Sequence, residues 1–366
     1  MKSVYIHIPF CKTICSYCDF CKMHYDPKWT NDYLDMLTKE IRNYYKGEVI
    51  DTIYIGGGTP SALSIDEIRR LMDIMHIFDM SIDAEVTFEC NIENIDQEKL
   101  SMLYRNGVNR LSVGIQTFNN NLLKLLNRNH TKEDVVNKIN IAKEIGFKNI
   151  NIDLIYAIPN ETILDLENDL KEYLKLDIPH ISTYSLILEP NTKLYINNTK
   201  PIDEDIDYEM YKLIIKTLSD NGYKHYETSN FAKPGYESKH NLVYWNNKEY
   251  YGFGLGASGY INNVRYDNTR SINSYLKGKY RLEERGLTKL EKMENEMILG
   301  LRKIEGVSKK DFYNKYQEKI EDVFDIKELI ASKKLIDNKK NVYISKDYLY
   351  LSNDILINFI NLSKVS

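Results

Sequence analysis

The sequence is short of thiols, of charge of one sign and of long apolar runs. Only five cysteines occur in 366 residues, an odd and small count that excludes a disulfide framework and suits metal binding or catalysis in a reducing compartment. Lysine and arginine (49) nearly balance aspartate and glutamate (53), for a formal charge of −4, so no global basic field invites nucleic acid. No apolar run approaches the roughly 20 residues that span a bilayer. The opening MKSVYIHIPF has too short an apolar segment for a secretory signal. These absences predict a cytoplasmic protein. No internal repeat is present, and the abundance of Asn, Lys, Ile and Tyr carries no functional reading. What is there, 43% hydrophobic and 28% charged residues, is the composition of a globular chain with a real core, long enough for two or three domains.

The first half alternates β-branched runs with amphipathic stretches. Strands are predicted at 3–8, 52–55, 84–89, 110–115, 149–156 and 180–186, with helices between them. Ser64 to Glu67 and Thr131 to Asp134 read as capping boxes, in which hydroxyl and carboxylate satisfy free backbone N–H groups. Gly107 and Gly146 stand where two helices should stop. Six alternations imply an α/β fold with a parallel sheet. Because distant motifs must meet, a partial (β/α)6 barrel of TIM type is expected, with functional residues at the C-terminal strand ends. A helix over about 205–221 precedes an aromatic segment, 223–260. From about Lys289 a small helical unit ending in a hairpin predicts a C-terminal α+β, winged-helix-like module. The expected division is 1–200, 201–288 and 289–366.

Four of the five cysteines crowd into FCKTICSYCDFCKMH (10–24). The spacing Cys11-x3-Cys15-x2-Cys18, in a loop after the first strand with Tyr17 before the last thiol, can place three sulfurs on three irons of a cubane cluster. A zinc site or a redox pair at Cys18 and Cys21 are the alternatives. Cys90, after a strand, reads as a buried core thiol. The turn IGGGTPS (55–61) follows the second strand, and its glycines let backbone approach a ligand closely. Polar residues stand at later strand ends: Glu89, Gln116 and Asp153, with Arg128 nearby in LLNRNH. Each alone reads equally as a salt-bridge or capping residue.

The loop CKTICSYC after a strand resembles the radical S-adenosylmethionine (SAM) superfamily. That resemblance implies a 4Fe–4S cluster on Cys11, Cys15 and Cys18, with an open iron for SAM, and leaves Cys21 spare. The related oxygen-independent coproporphyrinogen oxidases carry an extra cysteine two positions after the third ligand. Here it lies three positions after. GGGTP resembles the family motif beside the methionyl amine, which implies that Gly56, Gly57, Gly58 and Thr59 line SAM. Glu89, Gln116, Arg128 and Asp153 resemble SAM contacts of the coproporphyrinogen-oxidase branch, Arg128 as a partner of the SAM carboxylate. Tyr5 and Ile187 resemble apolar or backbone contacts. Departures from the branch pattern, Cys90 for Ala, Ile92 for Pro and Ala157 for Gly, predict local repacking.

Within the branch, two kinds of protein compete. Oxygen-independent coproporphyrinogen III oxidases act in porphyrin biosynthesis, converting propionates to vinyl groups. HemW-type proteins resemble them but bind heme and pass it to acceptor proteins. The cysteine loop at residue 11 leaves no room for the oxidases' N-terminal extension. His240-Asn-Leu-Val-Tyr-Trp245 resembles the HNxxYW motif of the HemW type. There His240 offers an imidazole for heme iron, and Tyr244 and Trp245 offer flat apolar contact; the plainer reading packs a domain junction. The resemblance favours a heme chaperone with heme and heme-accepting proteins as partners. It also admits a flavodoxin-type electron donor, peripheral membrane contact and a homodimer. Whether the radical chemistry operates is left open by the sequence. A radical SAM enzyme that modifies RNA is the weakest reading, since no basic aromatic segment stands out.

Overall fold

The computed structural model describes residues 2–360. Six parallel strands form its centre: β1 (Lys2–Ile8), β2 (Ile50–Gly57), β3 (Met80–Asn91), β4 (Arg110–Gln116), β5 (Asn149–Tyr156) and β6 (His180–Ser185). They lie side by side in chain order. Between them run α1 (Pro27–Tyr44), α2 (Ile65–Met75), α3 (Gln97–Arg105), α4 (Lys132–Ile145) and α5 (Ile163–Lys175), and α6 (Glu204–Asp220) follows β6. Each predicted strand is therefore a strand, and the six β/α units are those of the partial barrel. Every residue of β4 is buried, as expected of strands covered on both faces. Its Leu111, Val113 and Ile115 are fully enclosed, each side chain contributing about 1.5–3 kcal/mol by burial.

The predicted caps form. Ser64 with Glu67 and Thr131 with Asp134 make reciprocal capping boxes, and Thr162 with Asp165 adds a third. Gly107 and Gly146 take φ of 92° and 123°, a region that a side chain would strain.

The sheet continues beyond the barrel units. β7 (Lys224–Glu227) and β8 (Asn230–Ala232) extend it past β6. After α7 (Lys239–Trp245), β9 (Tyr250–Phe253) pairs parallel to β1, and β10 (Ser258–Ile261), β11 (Val264–Asn268) and β12 (Arg281–Gly286) follow antiparallel. The order is β12-β11-β10-β9-β1-β2-β3-β4-β5-β6-β8-β7. One buried carboxylate ties this extension to the barrel. Glu40 on α1 accepts from Gly254 N (2.9 Å), Asn268 Nδ2 (2.7 Å), the Tyr275 hydroxyl (2.6 Å) and Arg281 (3.1 Å). Burial raises its pKa, and these four donors oppose the rise.

The last part packs α8 (Lys289–Gly300) and α9 (Lys309–Tyr316) with three short helices and the hairpin Leu335–Asp337/Asn341–Ile344. A two-residue strand, Val307–Ser308, joins that hairpin as a third strand; it is too short to show any periodicity in sequence. The module is winged-helix-like, as expected. Among the described residues no helix is long and apolar enough to cross a membrane.

Candidate functional site

The cysteine loop leaves β1 and is fastened from three sides. Phe10–Cys11 pairs with Met23–His24, so the loop closes on itself. Ser16 bonds backbone to backbone with Leu126 and Leu194, and Asn127 Nδ2 donates to Ile14 O at 2.8 Å. Gly58 N and Thr59 N donate to Ile8 O and Phe10 O at 2.8 and 2.9 Å. The glycine turn and the cysteine loop are thus hydrogen-bonded neighbours. Cys11 is buried, and Cys15, Cys18 and Cys21 are half-buried. Burial pushes the Cys11 thiol up to about 11, and the Thr59 hydroxyl, donating to Cys11 Sγ at 3.4 Å, pulls the other way. Burial likewise raises Cys18.

Each glycine of the turn is there for a different contact. A Cβ on Gly56 would fall 2.7 Å from the Glu89 carboxylate. On Gly57, whose φ is +115°, it would fall 2.5 Å from the His7 ring. On Gly58 it would meet Pro9 backbone at 2.8 Å and Cys11 Sγ at 3.0 Å. Glu89 accepts from the Tyr54 hydroxyl (2.7 Å) and Gly57 N (2.9 Å), yet burial lifts its pKa to about 7. Asp153 takes a hydrogen bond from Asn151 Nδ2 at 2.8 Å, and burial lifts it to about 6. Two buried acids thus face one interior, each with its charged form disfavoured by burial, where a cationic or hydroxyl-bearing ligand would favour it.

One cavity collects most of the predicted residues. Its walls include Cys11, Cys15, Cys18, Gly57, Gly58, Thr59, Glu89, Gln116, Arg128 and Asp153, with Tyr17 beside them. Gly56 lies behind the wall against Glu89. Tyr5 and Ile187 border adjoining clefts instead. Tyr5 is engaged through its hydroxyl with His7 Nδ1 at 2.9 Å, and Ile187 is largely exposed. Cys90 is buried, as expected, but it also borders this cavity. Cys21 lies outside it, on a cleft with Arg270.

The cavity's chemistry fits the groups that the sequence implies. Gln116 ends β4 with φ +74° and carries a buried Oε1 with no hydrogen-bond partner. A strained residue bearing an unpaired acceptor is expected where a ligand donor completes the site. Among the described residues no three Cys, His, Asp or Glu side chains converge on a single metal ion. A cubane differs from such an ion in taking each thiolate at a separate iron, and three thiols on one wall suit that. A bound metal also deprotonates its thiol ligands outright, reversing the effect of burial.

Arg128 lines the cavity with part of its guanidinium already engaged within the protein. Its Nε and Nη2 bind both oxygens of Glu93 at 2.9 Å, and Nη2 also donates to Gly114 O at 2.9 Å. Burial opposes both charges, but His130 and Arg128 together hold Glu93 well below the usual carboxylate range. Sequence reasoning missed Glu93, and missed His7, whose Nε2 meets Cys21 O at 2.7 Å. It also missed Asn91, which bonds Thr59 and Ser61, and Arg110, buried at the base of the adjoining cleft. Asn91 closes the TFECN strand end and Glu93 follows two residues on, the one signal that could have found them.

His240 and Tyr244 of the HNxxYW segment meet on one face of α7, and Trp245 borders a different cleft. His240 is buried, with Nδ1 2.7 Å from the Thr52 hydroxyl and Nε2 2.8 Å from the Tyr244 hydroxyl. Burial lowers its pKa to about 3. Tyr244 borders the cleft beside Cys21, and Trp245 a cleft against the C-terminal module.

Residues 5–173 match the radical SAM superfamily and residues 287–347 the HemN C-terminal domain. The chain is 41% identical to proteins named heme chaperone HemW from Lactococcus lactis (98% of this chain, 97% of that one) and Bacillus subtilis (97% and 98%). A third of that name, from Escherichia coli, is 33% identical over 85% of each. Among solved structures, the radical SAM enzyme coproporphyrinogen III oxidase from Escherichia coli superposes with a TM-score of 0.88 at 24% identity. It covers 98% of this chain and 90% of its own, and it shows the shared fold. With 33–41% identity over 85–98% of the chain to those three proteins, and the cysteine loop, glycine turn and strand-end acids on one cavity, the chain belongs to the HemW family of the radical SAM superfamily.

Proposed function

We propose that the protein binds heme and delivers it to acceptor proteins, on a scaffold that holds a 4Fe–4S cluster and SAM. The observation that carries this is the 41% identity, over essentially the whole chain, to proteins named heme chaperones. The cavity supplies the cofactor part. Cys11, Cys15 and Cys18 would hold the cluster and leave one iron open. The Gly56–Thr59 turn would receive the methionyl group, and Gln116 Oε1 would accept from its ammonium. Asp153 and Glu89 would take hydroxyl or ammonium donors, each gaining charge as a cation approaches. When bound and reduced, the pair supplies one-electron cleavage of SAM. Tyr17 and Cys90 line the same cavity.

The likeness to the coproporphyrinogen oxidase concerns the fold, and no observation here favours that activity over the chaperone. The cytoplasm is the proposed compartment, with heme as cargo, a flavodoxin-type donor, peripheral membrane contact and a homodimer as further proposals. The units 1–200, 201–288 and 289–366 are proposed as its organisation. The test is an anaerobic heme titration of cluster-reconstituted protein, followed by mixing with an apo-globin. Stoichiometric binding and transfer faster than from free buffer support the reading. No heme binding, with coproporphyrinogen turnover in SAM and reductant, overturns it.

A further inference from the structure

Seven histidines are present, and their hydrogen bonds sort them. His7, His180 and His240 have both ring nitrogens engaged. His130 spends Nδ1 on Glu93 and buries Nε2. His24 and His76 lie exposed on the surface. His225, on the outermost strand β7, is different. Its Nε2–H donates to Thr228 O at 3.3 Å, the Glu227 backbone lies within reach of the ring, and no side chain engages Nδ1 among the described residues. A metal-ligating histidine typically donates its other ring N–H to a backbone carbonyl in this way, which fixes the tautomer and aims the free lone pair. Stacking on Phe231, 4.3 Å between centroids at 9°, holds the ring's orientation. Burial lowers its pKa to about 4, so the ring is neutral at pH 7, as ligation requires.

His225 borders a cleft of about 470 Å³ between α6, β7 and the stretch Lys346–Tyr350 of the C-terminal module, within the roughly 300–1,000 Å³ of small-molecule sites. Two features give its ligand class. Tyr208, Tyr211 and Tyr350 form an aromatic wall, with ring centroids 5.0 and 5.5 Å apart, and the Tyr211 hydroxyl is buried without a partner. Four lysines line the cleft against one acid, Asp347. Lys212 and Lys216 are engaged with Glu209 and Asp220, while Lys224 and Lys346 make no ion pair among the described residues. A flat aromatic dianion carrying a metal centre satisfies all of these at once.

We propose that this cleft is a heme site, with His225 Nδ1 as axial ligand and Lys224 and Lys346 pairing the two propionates. The proposal rests on the heme reading above and names where the heme sits, on the far edge of the sheet from the cysteine loop. It places the cargo between barrel and C-terminal module, where an acceptor can reach it without opening the cofactor cavity. The two sites then act independently.

The test is a heme titration of the full chain, reading Soret position and affinity for wild type, His225→Ala, His240→Ala and the double variant Lys224→Glu/Lys346→Glu. His225→Ala should shift the Soret band and weaken binding at least tenfold. The lysine variant, exposed and safe for folding, should weaken binding about tenfold at low salt and less at high salt, with the band unmoved. His240→Ala should stay near wild type in both. Wild-type binding that neither cleft variant alters overturns the site and leaves the heme reading standing. A wild type that binds no heme overturns both.

Discussion

Replacing His240 by alanine should destabilise the protein without costing it heme. The imidazole bridges Thr52 on β2 and Tyr244 on α7 by bonds of 2.7 and 2.8 Å, and its ring lies 5.2 Å from that of Tyr54. Truncation removes two hydrogen bonds, each worth about 0.5–1.5 kcal/mol, and strands the fully buried Thr52 hydroxyl. It also leaves a ring-sized void in a closed site, where large-to-small changes cost roughly 2–5 kcal/mol. We expect a net loss of about 3 kcal/mol, near the middle of these overlapping contributions. Urea unfolding followed by tryptophan fluorescence, from Trp245 five residues along the same helix and from Trp29 on α1, reads it. The loss also has a pH signature. The folded pKa lies near 3, below the ordinary 6.5, so the neutral ring's contribution is present above about pH 6.5 and declines as pH falls toward 3. The gap between variant and wild type should therefore be widest near neutrality and narrow toward pH 5. A stability loss below about 0.5 kcal/mol together with a tenfold fall in heme affinity would refute the argument, because the imidazole would then be a ligand and not a strut.

Gly57→Ala should cost about 2–5 kcal/mol, from a left-handed backbone and a Cβ forced to 2.5 Å from His7; a melting temperature within a degree of wild type would show that the turn simply relaxes. The triple change Cys11→Ser, Cys15→Ser, Cys18→Ser should abolish anaerobic iron uptake, while Cys21→Ser should retain about four irons per chain. Iron loss in the second variant would make Cys21 a ligand. Glu89, raised to about 7 by burial, favours folding most below its unfolded pKa near 4.5 and loses that contribution as pH rises through 7. The stability of Glu89→Gln relative to wild type should therefore rise between pH 4.5 and 7, and a flat difference would mean that Glu89 is already ionised.

The barrel was legible because each of its strands is a short β-branched run closed by a cap or a glycine, signals carried by neighbouring residues. Ser64 with Glu67 announces α2 in four letters. The cysteine loop, glycine turn and strand-end acids were legible for a related reason: parallel strands in chain order bring their C-terminal ends to one rim, so position in sequence predicts position in space. What was not legible depends on contacts between distant segments. Nothing near Glu40 says that it will receive Gly254, Asn268, Tyr275 and Arg281. His240 stands in a motif that suggests a ligand, yet Thr52, 188 residues away, takes one of its nitrogens. His225 stands in no motif at all, and only the docking of the C-terminal module gives it a cleft.

Arg128 sharpens the difference between a residue's type and its available charge. Of its five N–H donors, Nε and Nη2 are spent on Glu93 and Gly114 O, which leaves the Nη1 edge for the cavity. Glu93 thus does two things at once. It fixes the plane of the guanidinium, so the free edge is oriented before any ligand arrives, and it offsets much of the positive charge an anionic ligand would feel. Glu93→Gln separates the two, since an amide oxygen still accepts from the guanidinium while the charge is gone. The side chain of Glu93 is about a quarter exposed, so the loss of folding stability should be only about 1–3 kcal/mol, below that of a fully buried pair. If a SAM carboxylate meets Nη1, that variant should bind SAM several-fold more tightly by calorimetry, with an excess that shrinks as salt is raised. Unchanged affinity would mean that Arg128 braces the cavity wall through Glu93 and Gly114 and leaves the carboxylate to another group, with Arg110, whose buried Nε has no partner, the next to test.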